Sequence, residues 1–159
     1  MQNKKIEIGY RQFDNLAELE VSDQNLINRA LEACKTAYAP YSNFPVGAAV
    51  LLDSGEIFIG NNQENISFPA GTCAERTLLN FVHANFPEKK ILTMAITATN
   101  SHSHNPVTPC GVCRQVMVEM EREQDTDYRV LLHKPGGSTI EFSGAKQLLP
   151  LAFEDKLKK

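Results

Sequence analysis

Cys73, Glu75 and Arg76 stand together in "CAER", just ahead of the apolar residues Leu78, Leu79, Phe81 and Val82. Cys110 and Cys113 stand in "PCGVCRQ", a Cys-x-x-Cys turn. Two thiolates at that spacing bind one zinc ion, and a distant third ligand such as Cys73 closes the site around it. Helix N-termini favour thiolates, because free backbone N–H groups and the macrodipole stabilise negative charge there. Three protein ligands leave a fourth position open, which distinguishes catalytic zinc from structural zinc. Glu75, two residues past a ligand, reaches zinc-bound water without binding the metal, and so can act as a general acid/base. Zinc with three thiolates carries net negative charge, which weakens its power to acidify water, and the Arg76 guanidinium offsets it.

Each of these residues has a plainer reading. Cys110 and Cys113 suit a redox pair or buried thiols, but no redox-fold pattern surrounds them. A glutamate in a first helical turn is favourable by the dipole alone, and an arginine there is often only a surface charge. Singly, the plainer readings stand; three cysteines at these spacings, with Glu75 beside one, outweigh them. Cys34 keeps the plainer reading, a buried thiol on an apolar helix face.

The residues around these motifs supply both helices and strands. Residues 4–13 alternate loosely through Ile6, Ile8 and Tyr10, which predicts a strand. Ser22 is a candidate cap for a helix running to about Tyr38, with Leu26, Ile27, Ala30, Leu31, Cys34 and Ala37 on one face. "VGAAVLL" and "EIFIGN" predict a hairpin turning at Asp53-Ser54-Gly55. A loop from Asn61 to Thr72 leads to a helix opening at Cys73. "ILTMAITAT" predicts a strand buried on both faces. A polar loop over residues 100–109 leads to a helix opening at Cys110, with Val112, Val116 and Met120 at helical spacing. "YRVLLHK", the Pro135-Gly136-Gly137 turn and "STIEF" predict two further strands. A short helix from Ser143 and a tail containing Phe153 follow. Strands alternating with helices make the class α/β, with helices covering a sheet.

The bulk composition agrees with one ordinary globular domain. The chain has 159 residues, 42% hydrophobic and 22% charged. No apolar run approaches a membrane span, and the basic N-terminus lacks the apolar stretch of a signal peptide. The expected location is therefore the cytoplasm, where four cysteines read as ligands or free thiols before disulfides. A net charge of −3 with no dense Lys/Arg stripe argues against a nucleic-acid partner.

From about Leu26 to Phe153 the chain resembles the small, three-cysteine, homotetrameric cytidine deaminases. The motifs Cys-Ala-Glu-Arg and Pro-Cys-Gly-x-Cys-Arg-Gln carry the resemblance, with "AYAPYSNFPVGAA", Asn62-Gln63-Glu64-Asn65 and "LLPLAF". It implies a three-layer α/β/α fold around a mixed sheet of about five strands. Residues 22–159 would form one zinc-dependent deaminase domain, and residues 1–21 an extension, a strand packed on that domain or on a neighbour. The implied reaction is hydrolytic deamination of cytidine and deoxycytidine, in pyrimidine salvage, with Zn2+ held by Cys73, Cys110 and Cys113. Glu75 would move the protons. Asn62 and Glu64 would hold the ribose hydroxyls, Phe44 would stack on the pyrimidine, and the backbone N–H of Ala74 would meet the base carbonyl. Phe153 would be an aromatic donated by a neighbouring subunit.

Two features depart from the family pattern: the N-terminal extension and the longer loop "NSHSHNPVT". His102 and His104 in that loop are expected to be exposed rather than ligating. A deaminase of another aminopyrimidine nucleoside, such as blasticidin S, would share the metal motif, but Asn62, Glu64 and Arg76 favour cytidine. A polynucleotide deaminase would need a charged channel, which the acidic balance disfavours. A non-enzymatic zinc module would need a fourth protein ligand and no Glu75.

Overall fold

The computed structural model describes residues 1–154. In chain order the elements are β1 (Arg11–Phe13), α1 (Val21–Cys34), β2 (Val46–Leu52), β3 (Ile57–Asn61), α2 (Ala74–Asn85), β4 (Ile91–Ala98), α3 (Gly111–Glu123), β5 (Arg129–His133) and β6 (Thr139–Phe142). Short 3-10 turns cover Leu16–Glu18, Phe68–Ala70 and Ala145–Leu148. The strands form one mixed sheet in the order β1-β6-β5-β4-β2-β3. Only β4 and β5 are parallel, because α3 crosses over between them.

Period-2 alternation sorts the sheet residues between two cores. Ala48, Val50 and Leu52 of β2, with Met94 and Ile96 of β4, face Leu78, Leu79 and Val82 of α2 and Met117 and Val118 of α3. Ala49, Ala95 and Leu131 point the other way, onto Leu26, Ile27 and Ala30 of α1. The central strands are thus apolar on both faces, each fully buried Leu or Ile contributing about 1.5–3 kcal/mol. At Gly47 a Cβ would lie 2.0 Å from the Ala30 carbonyl oxygen, so the missing side chain is what lets α1 lie this close to β2.

Several elements differ from the sequence expectation. The sheet has six strands rather than about five, because β1 pairs with β6. Yet only Arg11–Phe13 of the expected strand over residues 4–13 pairs, opposite Glu141, Ile140 and Thr139. Partner length sets this limit: β6 ends at Phe142, so residues before Tyr10 find no ladder. Tyr10 instead lays its ring 5.7 Å from that of Phe142. Glu20, not Ser22, holds the cap position of α1, which ends at Cys34 rather than near Tyr38. On α3 the buried residues are Cys113, Met117, Val118 and Glu121, while Val112 is exposed.

A polar cluster fastens the β1 edge. Arg129 donates from Nη1 to Asp23 Oδ1 at 3.1 Å and from Nε to Glu141 Oε1 at 2.7 Å, and Arg11 adds a third bond to the same oxygen at 2.7 Å. Two arginines thereby balance two carboxylates that are each 4% exposed.

The end of the fold around the start of α2 is built by backbone pairing of distant segments. Tyr38 and Thr72 both bridge to Gln63, with the Gln63 N–H donating to the Thr72 carbonyl at 2.8 Å and the return bond at 2.9 Å. The "APYSNFP" turn and the loop after β3 are thus both held beside the start of α2.

Candidate active site

Cys73 is the N-cap residue of α2, with extended backbone (φ −70°, ψ 157°), and its carbonyl accepts the Thr77 N–H at 3.0 Å. Cys110 holds the same position on α3 (φ −67°, ψ 165°), its carbonyl accepting the Arg114 N–H at 2.9 Å. Neither thiol caps its own helix. With Cys113 in the first turn of α3, they converge instead: all three Sγ atoms lie within 4.8 Å of one another, Cys110 and Cys113 at 3.5 Å. Tetrahedral zinc with Zn–S bonds near 2.3 Å needs sulfurs roughly 3.8 Å apart, so the cluster fits the ion. Among the described residues no further His, Cys, Asp or Glu joins the group.

The charges of the cluster also call for a cation. The Cys73 thiol is lowered to about 5, chiefly by a hydrogen bond from Cys113; burial opposes this, and the hydrogen bond and charge of Arg76 reinforce it. Cys113 is pushed up by that same hydrogen bond, by burial and by the charges of Glu75 and Cys73. Three adjacent thiolates repel one another unless a cation such as Zn2+ offsets their charge.

Glu75 is 4% exposed in the first turn of α2. Burial raises its carboxyl above the ordinary range, and the Cys73 charge adds to this; its own backbone N–H, the Cys113 thiol and the Arg76 charge offset only part. A carboxyl raised in this way holds a proton more readily than an exposed one, which suits a group that must both take and give one. Arg76 anchors to the Gly71 carbonyl at 3.2 Å while its Nε is buried without a hydrogen-bond partner. Ala74, fully buried, is the first helical residue of α2, where backbone N–H groups have no intrahelical partner.

The remaining expected site residues lie on the neighbouring loops. Asn62 receives the Val46 N–H on Oδ1 at 2.8 Å and donates from Nδ2 to the Phe44 carbonyl at 3.0 Å, bracing the turn that carries Phe44. Glu64 takes the Tyr41 and Ser42 N–H groups on Oε2 at 2.9 and 3.2 Å, and the Ser42 hydroxyl on Oε1. The Ser42 hydroxyl is the main cause holding its carboxyl below the usual range. Half-buried Phe44 lines an open hollow with Asn100 and His102. Phe153 is 75% exposed and packs its ring into no core. Its backbone is fixed by Gln115, whose amide accepts the Phe153 N–H at 3.0 Å and donates to the Phe153 carbonyl at 2.8 Å. Residues 155–159 of the tail lie outside the described residues.

Comparison with known proteins places this arrangement. A sequence profile for the cytidine and deoxycytidylate deaminase zinc-binding region matches residues 20–125, which hold all three thiols and Glu75. The chain belongs to this deaminase family. It is 40% identical over 130 residues to a cytidine deaminase of Halalkalibacterium halodurans, covering 82% of this chain and 92% of the relative. A probable cytidine deaminase of Dictyostelium discoideum is 36% identical, covering 89% and 88%. Among solved structures, a cytidine deaminase from Burkholderia pseudomallei superposes with a TM-score of 0.70 at 39% identity, covering 81% of this chain and 97% of that one.

Two groups of residues in this deaminase were not foreseen from the sequence. Arg114 holds the Pro109 and Leu148 carbonyls at 2.8 and 3.0 Å, and Gln115 holds the tail; both are visible only as the "RQ" after the second thiol pair. Ile66 and Phe68, 82% and 75% exposed, place apolar surface on the loop before Cys73, and their signal was an apolar pair in a polar loop. His102 and His104 are exposed, as expected of loop residues.

Proposed function

We propose that this protein hydrolyses cytidine and deoxycytidine to uridine and deoxyuridine, releasing ammonia. The observation that carries the reading is the convergence of three thiols from two helix starts, with the buried Glu75 carboxyl against them. Zinc, when bound by Cys73, Cys110 and Cys113, supplies the Lewis acidity that makes water a nucleophile near neutral pH.

The chain's own residues do the rest. Glu75 takes the proton of the attacking water and delivers it to ring nitrogen 3; it then takes the proton of the new hydroxyl on carbon 4 and passes it to the amine, which leaves as the carbon–nitrogen bond breaks and the carbonyl forms. Water adds and ammonia leaves, so the atoms balance. Arg76 offsets the thiolate charge. The Ala74 N–H meets the base carbonyl, and Phe44 stacks on the ring. Glu64 retains acceptor capacity beyond its three present donors, and Asn62 one amide hydrogen, for the two ribose hydroxyls.

The active form in this reading is a cytoplasmic homotetramer serving pyrimidine salvage. Residues 22–154, with the tail beyond them, act as one deaminase domain, and residues 1–21 as an extension joined to its sheet edge. Exposed Ile66, Phe68, Leu151 and Phe153 support assembly, since large apolar side chains around a site call for cover. Phe153 would then complete a neighbour's site.

Glu75→Gln tests the reading. The variant keeps about one zinc per chain and its fold, yet loses at least ~100-fold in turnover, followed as the absorbance lost on mixing with cytidine. Turnover near that of the parent protein would move the base role to another group.

A further inference from the structure

We propose that Gln115 is a positioning residue that aims Phe153, so that the helix holding one chain's metal ligands also presents the aromatic ring. The proposal rests on the reading of Phe153 given above.

A primary amide can accept and donate at once, and Gln115 does both toward a single residue. Its Oε1 accepts the Phe153 N–H at 3.0 Å and its Nε2 donates to the Phe153 carbonyl at 2.8 Å. Both partners belong to one peptide segment, so the contact mimics the paired bonds of a strand ladder and fixes direction as well as place. The tail needs such a clamp. The last 3-10 turn ends at Leu148, Leu151 is 82% exposed, and Phe153 buries little of its ring. Leu149 and Ala152 pack against the main core and bring the tail back to the domain, and at residue 153 itself two hydrogen bonds, rather than burial of the ring, fix the backbone.

The anchor is equally specific. Gln115 lies two residues past Cys113, in a helix whose start is fixed by the thiol cluster. Its neighbour Arg114 ties the same helix to the Leu148 carbonyl at 3.0 Å, where the tail begins, and to the Pro109 carbonyl at 2.8 Å. Arg114 thus holds the base of the tail and Gln115 its aromatic end. The ring stays largely exposed on a backbone that the amide clamp holds in place.

The experiment uses the full-length zinc-loaded protein with Gln115→Met, Gln115→Glu and Phe153→Ala, and the Gln115→Met/Phe153→Ala double variant. Methionine keeps length and helix propensity but loses both bonds; glutamate keeps only the acceptor. Gln115→Met is expected to raise the KM for cytidine roughly tenfold, with kcat changed less than about twofold, as loss of one stacking platform would do. Gln115→Glu should fall between the two. Zinc per chain should stay unchanged in each. Chymotrypsin, which cuts after aromatic residues, should cleave at Phe153 faster in Gln115→Met than in the parent protein.

Adding Gln115→Met to Phe153→Ala should raise KM no further, since one acts through the other. Fully additive effects on KM overturn the proposal, as does a Gln115→Met protein with parental KM and parental cleavage. If Phe153→Ala leaves KM unchanged, the substrate role of Phe153 is wrong. The cleavage rate then decides the clamp alone: faster cleavage upholds it and an unchanged rate overturns it.

Discussion

Glu75 and Glu141 are equally buried, each 4% exposed, yet their environments push them in opposite directions. Burial raises the Glu75 carboxyl, and the nearby Cys73 charge raises it further. Burial would raise Glu141 too, but hydrogen bonds and charge from Arg129 and Arg11 more than reverse it and hold it below the usual range. The β1–β6–β5 edge is a closed arrangement, with two carboxylates answered by two guanidiniums. The α2–α3 end is open: three thiols and a carboxyl face a single arginine. A cluster whose charges balance stabilises the fold, even with Glu141 Oε2 buried without a hydrogen-bond partner, while one left unbalanced awaits a ligand.

Cys110→Ser should break the open end most completely. Zinc measured on the purified protein should fall from about one per chain to near zero, and the melting temperature should drop, because metal binding and folding free energy are linked. Full occupancy in that variant would remove Cys110 from the ligand set.

Arg129→Met attacks the closed end instead. It leaves buried Asp23 without its partner and Glu141 with Arg11 alone, at a cost of about 3 kcal/mol in urea unfolding, as for a broken buried pair. Turnover per folded molecule should not change. A loss of turnover without a loss of stability would mean the two ends are not separate.

The smallest effect comes from pH. A carboxylate whose folded pKa lies below its unfolded value, near ~4.3, contributes stability fully above that value and loses it as pH falls through the folded one. The gap in urea midpoint between the parent protein and Glu141→Gln should therefore be full at neutral pH and shrink below about pH 4. A gap that widens in acid would assign Glu141 the wrong sign.

The open end was far more legible in the sequence than the closed one. Thiols at helix starts act through local spacing: Cys73 and Glu75 are two residues apart, Cys110 and Cys113 three. The hairpin of β2 and β3 and the doubly buried β4 were equally local, fixed by alternation and by Gly55 at φ 86°. The Arg129–Asp23 contact spans 106 residues and the Arg11–Glu141 contact 130, and no short pattern announces either. The expected strand over residues 4–13 was too long for the same reason: alternation shows what residues can pair, not where the partner strand stops. Gln115 was hidden differently, as a polar helix residue whose partner is a backbone 38 positions away.

The pairing of β1 with β6 has a consequence for how the chain is made. β1 leaves the ribosome well before β6, so the edge closes only after the Glu141 region has emerged. Bringing segments so far apart together carries a loop-closure cost that only the finished sheet repays. Until then Arg11–Phe13 is an unpaired strand, and Ile6, Ile8 and Tyr10 before it stay exposed and outside the ladder even in the finished fold, an alternating segment of the type on which chains aggregate. Lys4, Lys5 and Glu7, set among them, put charge where another strand would have to pair, as gatekeeper residues do.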